Sequence, residues 1–402
     1  MDYPLTSPTY VMAKPAGPLC NLACNYCYYL EKQNLYKQQR WKTMSDETLE
    51  TFVRDYIASQ PTPNVLFTWH GGEPLMRPLT FYRRALELQR KYAVGHSIDN
   101  CIQTNGTLIT PEWAQFFHDN NFLVGISIDG PQDMHDRYRK SRLGRPSWRQ
   151  VMKGIDLLNR YGVEWNAMAV ANAATAEDPL RFYHFFKEIG CHYLQFTPVV
   201  ERFYRHPDGR RLATPLDGAV AELTDFSITP EAWGNFCCAI FDEWVKNDVG
   251  EHFVQLFDAT LAGWVGVMPS VCSMAETCGH ATALEFNGDL YACDHFVFPE
   301  YRLGNILETP LATLTARPEL KKFRQAKRDA LTRQCRECEY LFACHGECPK
   351  NRFAYSADSE SGHNYLCKGY HQFFSHAAPY MDFMKSCLQK GLAPSLVMKE
   401  TF

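Results

Sequence analysis

Three cysteines within eight residues, Cys20, Cys24 and Cys27 of the stretch CNLACNYC, oblige this chain to wrap a short loop around one chemical object. Eight more, Cys272, Cys278, Cys293, Cys335, Cys338, Cys344, Cys348 and Cys367, crowd into a later segment. Sixteen cysteines in a small secreted domain would indicate a disulfide framework. In a 402-residue chain such numbers point to metal ligation or redox chemistry in a reducing compartment. The first group also limits the metal. A structural zinc site closes with four ligands, so C-x3-C-x2-C would leave it one short. A four-iron cluster held by three cysteines keeps one iron open for a further ligand.

The rest of the first 200 residues alternates β-rich runs with amphipathic stretches. Strands are expected at residues 10–14 (YVMAK), 65–69 (VLFTW), 98–103 (IDNCIQ), 122–128 (FLVGISI), 165–170 (WNAMAV) and 193–198 (YLQFTP). Between them lie helical patterns such as SDETLETFVRDYIASQ, with Ser45 placed as N-cap and Asp46 and Glu47 in the first turn. Repeated strand-then-helix units imply a parallel sheet, and six of them suit a partial (βα)6 barrel with its chemistry at the C-terminal strand ends.

A polar, Pro- and Gly-containing segment from about Phe203 to Ile228 reads as a linker or surface insertion, and helical periodicity returns in PEAWGNFCCAIFDEWVKN. The expected division is 1–228 barrel, 229–270 helical connector, 271–370 cysteine-rich domain and 371–402 C-terminal helical segment. The 41 basic and 45 acidic residues are interspersed, which argues against a polyanionic partner. The start lacks a basic-then-apolar leader, and no run reaches the ~18 apolar residues of a membrane span. The expected location is cytoplasmic.

With Tyr26 before Cys27 and a strand just upstream, the first cysteine group resembles the signature of radical S-adenosylmethionine (SAM) enzymes. That resemblance implies a [4Fe-4S] cluster on Cys20, Cys24 and Cys27, whose open iron holds SAM for cleavage to a 5′-deoxyadenosyl radical. His70-Gly71-Gly72-Glu73-Pro74 ends the second expected strand. The matching G-G-E segment of the family binds the SAM amino group, which assigns Gly71, Gly72 and Glu73 to SAM. Thr104 and Ser127, at two further strand ends, are expected SAM contacts. Their bland reading is the turn chemistry of the nearby Asn-Gly and Asp-Gly pairs. His70 is either a peptide contact or a packed histidine. Cys101, Cys191, Cys237, Cys238 and Cys387 lack ligand-like spacing and read as packing residues.

Eight later cysteines would fill two four-iron clusters, or two zinc sites of four. Their spacing is similar to the SPASM extension of radical SAM enzymes, which holds two auxiliary [4Fe-4S] clusters. The resemblance assigns Cys272, Cys278, Cys293 and Cys348 to one and Cys335, Cys338, Cys344 and Cys367 to the other. The run ALEFNGDLYACDHF reads as a hairpin turning at Asn287-Gly288. On an extended strand Cys293 and Asp294 would face opposite ways.

The Cys293-Asp294 pair, SIDGP from Ser127, RLGNI from Arg302 and CHGECPKNRF from Cys344 resemble anaerobic sulfatase-maturating enzymes. This implies oxidation of a cysteine or serine in a sulfatase polypeptide, in a C/S-x-P-x-R type motif, to Cα-formylglycine. Asp294 would be the base, and flavodoxin or ferredoxin the electron donor. Two alternatives stand: a SPASM enzyme forming thioether or carbon-carbon crosslinks in peptides, and a zinc-stabilised binding protein. Only 19 residues precede Cys20, where many crosslinking enzymes carry a peptide-recognition domain.

Overall fold

The computed structural model describes residues 8–36, 43–206, 209–213, 217, 221–279 and 281–400. The chain forms two compact units. The first comprises Met1–Ser127, Tyr138–Trp165 and Gly279–Arg324, and the second Ile128–Arg137, Asn166–Cys278 and Gln325–Phe402.

In the first unit, β1 (Tyr10–Ala13), β2 (Asn64–Trp69), β3 (Ser97–Thr104) and β4 (Leu123–Ser127) pair in parallel and in sequence order. Each lies where its β-rich run placed it, within a residue at either end. The helix Asp46–Ser59 crosses between β1 and β2, and the Ser45 side chain accepts from the Thr48 amide as its N-cap. Its inner face carries Phe52 and Tyr56, which pack against Phe67 and Trp69 of β2. Trp69 is fully buried, ringed by Phe52, Phe81 and Tyr82, and donates its Nε1–H to Asn100 Oδ1 at 2.9 Å. Each such aromatic side chain contributes roughly 1.5–3 kcal/mol through burial.

On its other edge β1 pairs in parallel with the strand Ala281–Leu284, which turns back through Asp289–Tyr291 and Arg302–Asn305. Gly288, at φ +89°, makes the tight turn expected at Asn287-Gly288. The register aligns Ala13 with both Trp69 and Leu284. The next residue of each strand, Lys14, His70 and Glu285, therefore stands in one row at the C-terminal edge.

In the second unit, β5 (Trp165–Ala171) and β6 (Tyr193–Pro198) are parallel, and Phe253–Val254 extends the sheet beyond β6. The helices Pro230–Asn247, Gln255–Val265 and Cys367–Gln389 share an aromatic core through Phe241, Phe257 and Phe373. A Cβ at Gly369 would meet the Pro230 carbonyl oxygen at 2.2 Å, so glycine there permits the close approach of two helices.

The segment expected as a linker or surface insertion carries strands of its own. Arg202–His206 pairs with both Gly209–Leu212 and Glu222–Leu223 as a small antiparallel sheet. These strands are short, charged and bracketed by turn residues, so their alternation is too brief to distinguish from loop. Among the described residues no helix is long and apolar enough to cross a membrane.

Candidate active site and cluster loops

Cys20, Cys24 and Cys27 occupy the loop that follows β1 and a tight turn at residues 14–19. The Cys27 amide donates to the Cys24 carbonyl, and the Leu22 amide lies 3.3 Å from Cys20 Sγ. Burial, then the Glu73 charge, pushes the Cys20 thiol up to about 12. A metal cluster has to displace that proton.

The G-G-E segment is clasped against the same loop. The Gly72 amide donates to the Gly17 carbonyl at 2.9 Å and the Glu73 amide to that of Leu19 at 2.8 Å. Gly71 has φ +126°, and a Cβ on Gly72 would stand 2.2 Å from the Leu19 oxygen. No residue with a side chain fits position 72 without moving the loop that carries Cys20.

The Glu73 carboxylate is fully buried, and burial lifts it to about 7 against three donors. Thr104 Oγ1–H and the Leu75 amide donate to Oε1 at 2.7 and 2.9 Å, and the Asn105 amide donates to Oε2 at 2.8 Å. A carboxylate offers about four acceptor sites, so one is left for a cationic amino group. Thr104 is thus turned toward Glu73. Ser127 Oγ, at the end of β4, accepts from Gln103 Nε2 at 2.9 Å.

Asn105, read in the sequence only as half of a turn pair, links two parts of the site. Its side-chain amide donates to Asn21 Oδ1 at 2.9 Å and lies 3.8 Å from Cys20 Sγ. Tyr26 is buried edge-on to Tyr138, with the Arg139 guanidinium over its ring at 5.4 Å. Arg142 Nε–H donates to the Cys20 carbonyl at 2.7 Å. Neither arginine carried a motif that sequence reading could have used.

The row Lys14, His70, Glu285 meets Asp294. The hairpin strand ends at Tyr291, so Asp294 opens a short helical turn, Asp294–Phe296, after the extended Cys293. Asp294 Oδ1 is ion-paired with Lys14, and Tyr28 O–H donates to its Oδ2. Lys14 Nζ also stands 3.6 Å from Glu285 Oε1 and 3.7 Å from the centre of the Tyr29 ring, and Tyr29 O–H donates to Glu285 at 2.7 Å.

Burial alone would raise the Asp294 carboxyl, but the Lys14 ammonium, then His70 and His295, outweigh it. They hold it well below the usual carboxylate range. Burial likewise raises Tyr28 far above its ordinary value, helped by Asp294, and lowers His70, whose Nδ1 accepts from the Gly71 amide. Burial and Lys14 bring Lys32, stacked on Phe298, down to about 7.

The second unit carries seven of the later cysteines, and Cys293 belongs to the first. Cys335, Cys338, Cys344 and Cys367 ring a cavity of about 320 Å³ that Asn364 and Tyr370 help to line. Burial pushes Cys344 and Cys367 up to about 12 and Cys278 up to about 11. Three successive residues, His345, Gly346 and Glu347, have φ of +47°, +69° and +52°. This strained turn separates Cys344 from Cys348, and Asn351 and Asn364 hold its buried Glu347 at 3.0 and 2.7 Å. Among the described residues no three Cys, His, Asp or Glu side chains converge on a single metal ion. Thiols spread around a cavity suit a cluster of several irons better than one zinc.

Residues 15–186 match the Radical SAM superfamily, and residues 272–339 match SPASM, an iron-sulfur cluster-binding domain. The chain is 61% identical to a serine-type anaerobic sulfatase-maturating enzyme of Bacteroides thetaiotaomicron, over 98% of this chain and 96% of the relative. It is 31% identical to a cysteine-type anaerobic sulfatase-maturating enzyme of Clostridium perfringens, over 92% of this chain and 97% of the relative. The solved structure of native anSMEcpe with bound AdoMet and Cp18Cys peptide is 30% identical. It superposes at a TM-score of 0.82, covering 94% of this chain and 99% of that one.

Proposed function

Because the chain belongs to the anaerobic sulfatase-maturating enzymes, radical SAM enzymes that carry a SPASM domain, we propose a division of labour among its residues that starts from their reaction. The fold is a partial (βα)6 barrel followed by the auxiliary-cluster domain. The enzyme oxidises a cysteine or serine of a sulfatase polypeptide to Cα-formylglycine, using SAM and [4Fe-4S] clusters, and the eleven cysteines assigned as ligands would hold three of them. When bound, SAM and the N-terminal cluster supply the 5′-deoxyadenosyl radical that removes a hydrogen atom from the substrate Cβ.

Cys20, Cys24 and Cys27 hold the SAM-binding cluster, and Gly71, Gly72 and Glu73 receive the SAM amino group, with Thr104 and Asn105 fixing the Glu73 carboxylate. Tyr26 and Ser127 border the same site. Cys335, Cys338, Cys344 and Cys367 hold one auxiliary cluster. Cys272, Cys278 and Cys348 hold the other, and the inclusion of Cys293 rests on the family spacing. The division into 1–228, 229–270, 271–370 and 371–402 goes with these assignments. The two family matches support it, although Gly279–Arg324 packs in the first compact unit.

Asp294 takes the hydroxyl or thiol proton. The observation that carries this role is its hydrogen bond from Tyr28, the residue following the last cysteine of the SAM-cluster loop, across a sequence separation of 266. Lys14 keeps the carboxylate ionised, the form in which it accepts a proton.

Higher identity to a serine-type relative than to a cysteine-type one favours serine as the residue oxidised. The substrate segment is of the C/S-x-P-x-R type, the reductant a flavodoxin or ferredoxin, and the compartment the cytoplasm. The test is anaerobic incubation of the iron-loaded enzyme with reductant, SAM and paired serine and cysteine peptides, followed by mass spectrometry. A serine peptide that loses two hydrogens faster than the cysteine peptide is converted supports the reading. SAM cleavage without peptide oxidation overturns it in favour of crosslinking chemistry.

A further inference from the structure

We propose that Lys327 and Arg352, one buried and one half-buried cation of the second unit, raise the reduction potentials of the auxiliary clusters and so make them acceptors for the electron that leaves the substrate. The inference rests on the reading above that Cys272, Cys278, Cys348 and Cys335, Cys338, Cys344, Cys367 ligate four-iron clusters.

Lys327 is 1% exposed. Its Nζ donates to the carbonyl oxygens of Cys272 at 2.9 Å and Ser273 at 2.7 Å, and to that of Ala275. An ammonium has three N–H donors, and here three carbonyls receive them. A neutral amine would set its lone pair against one of these oxygens, so the geometry is that of the charged form. Arg352, charged at any working pH, donates to the carbonyls of Gly346 at 2.9 Å, His345 at 2.9 Å, Glu347 at 3.2 Å and Lys327 itself at 2.5 Å. One cation staples the loop that begins at Cys272. The other staples the turn between Cys344 and Cys348.

Every hydrogen bond these two side chains make among the described residues goes to a backbone carbonyl. Neutral amides could satisfy carbonyls, whereas burying a cation costs several kcal/mol unless negative charge stands nearby. Burial lowers both cations from their ordinary values, and the acidic groups that oppose it are Cys278, Glu347 and Cys348 for Lys327 and Cys335, Glu347, Cys278 and Cys348 for Arg352. Arg352 therefore feels thiols of both expected ligand sets. Four-thiolate clusters carry the compensating negative charge, and reduction adds one more unit of it. A fixed cation in a poorly screened interior stabilises the reduced state over the oxidised one, and cluster potentials follow local charge and solvent exposure.

The electron count is closed. After hydrogen-atom removal from Cβ, the substrate radical loses one electron and its hydroxyl or thiol proton as the carbon-heteroatom double bond forms. The electron reduces one auxiliary cluster by one unit, and the proton goes to the base.

The test is a potentiometric titration of the intact, iron-loaded enzyme, followed by electron paramagnetic resonance, for wild type, Lys327→Gln, Lys327→Arg and Arg352→Gln. Lys327→Gln should lower the reduced-to-oxidised ratio of the cluster on Cys272, Cys278 and Cys348 about tenfold at fixed potential, ~59 mV for one electron. Lys327→Arg should restore it, Arg352→Gln should lower both auxiliary potentials, and the SAM-binding cluster should not move. Unchanged potentials in both neutral variants at full iron content would overturn the proposal. So would cluster loss from both, which would make the cations structural staples. A wild-type enzyme with only about four irons per chain would refute the cluster assignment itself, a separate failure.

Discussion

Replacing Lys14 by methionine keeps the length of the side chain and removes the one ammonium paired with Asp294. Lys14 is fully buried, Asp294 is 6% exposed, and Glu285 stands 3.6 Å from the same Nζ, so Lys14→Met leaves two carboxylates in an interior that had one cation between them. Breaking a buried pair in this way costs about 3–5 kcal/mol, equivalent to a rise of roughly two to four in the pKa of whichever carboxylate takes up a proton. Burial, the largest influence on Asp294 and one that raises it, then loses its strongest opponent. A rise of that size starts from well below the usual carboxylate range, so Asp294 stays ionised at neutral pH and takes up its proton only on the acid side. Peptide oxidation by Lys14→Met should therefore fall off at a higher pH than in wild type as the medium is acidified, while SAM cleavage, which needs no base at this position, continues. The assay follows 5′-deoxyadenosine and oxidised peptide in parallel from about pH 4.5 to 8, with Lys14→Arg as the charge-keeping control. A pH profile and a product ratio identical to wild type would refute the reasoning.

Further outcomes follow from the same geometry. Asp294→Asn, which keeps the shape but not the basicity, should lower peptide oxidation by about 10²–10⁴ while 5′-deoxyadenosine still forms, both read from one reaction mixture. Gly72→Ala drives a Cβ to within 2.2 Å of the Leu19 oxygen, so the loop leading to Cys20 must shift. SAM affinity, measured by equilibrium dialysis, should fall even when the iron content is normal. Glu73, lifted by burial from 4.5 to about 7, binds its proton in the folded chain at pH values where the unfolded chain has released it. Its contribution to stability should decline by up to about 3 kcal/mol as pH rises from about 4.5 to 7, and Glu73→Gln should flatten that slope in anaerobic urea titrations. The thiols of Cys20, Cys344 and Cys367, pushed up to about 12, must lose protons to bind iron. Cluster reconstitution from the metal-free chain should become more complete as pH rises, as measured by iron and sulfide content.

The sequence by itself determined what depends on neighbours along the chain. The three cysteines of residues 20–27 lie close together because their short spacing leaves them no room to separate. The six strands lie where period-two apolar runs end in turn residues, and Ser45 caps its helix because the cap reaches only three residues ahead. Gly71 and Gly72 were legible as positions of close backbone approach, although not what they approach. The tertiary structure alone decided the rest. Lys14 looked like the last residue of a strand, and Glu285 like part of a hairpin. They meet only because β1 takes Ala281–Leu284 as its parallel partner, a pairing between segments some 270 residues apart that no local pattern encodes. That register carries Asp294 to Tyr28, the pairing of β2 with β3 turns Thr104 into a donor to Glu73, and packing within the second unit leaves Lys327 and Arg352 among thiols to which no sequence motif connects them. Local spacing sets which groups can share a loop, whereas the electrostatics of a buried site belong to whichever distant charges the packing brings within a few ångströms.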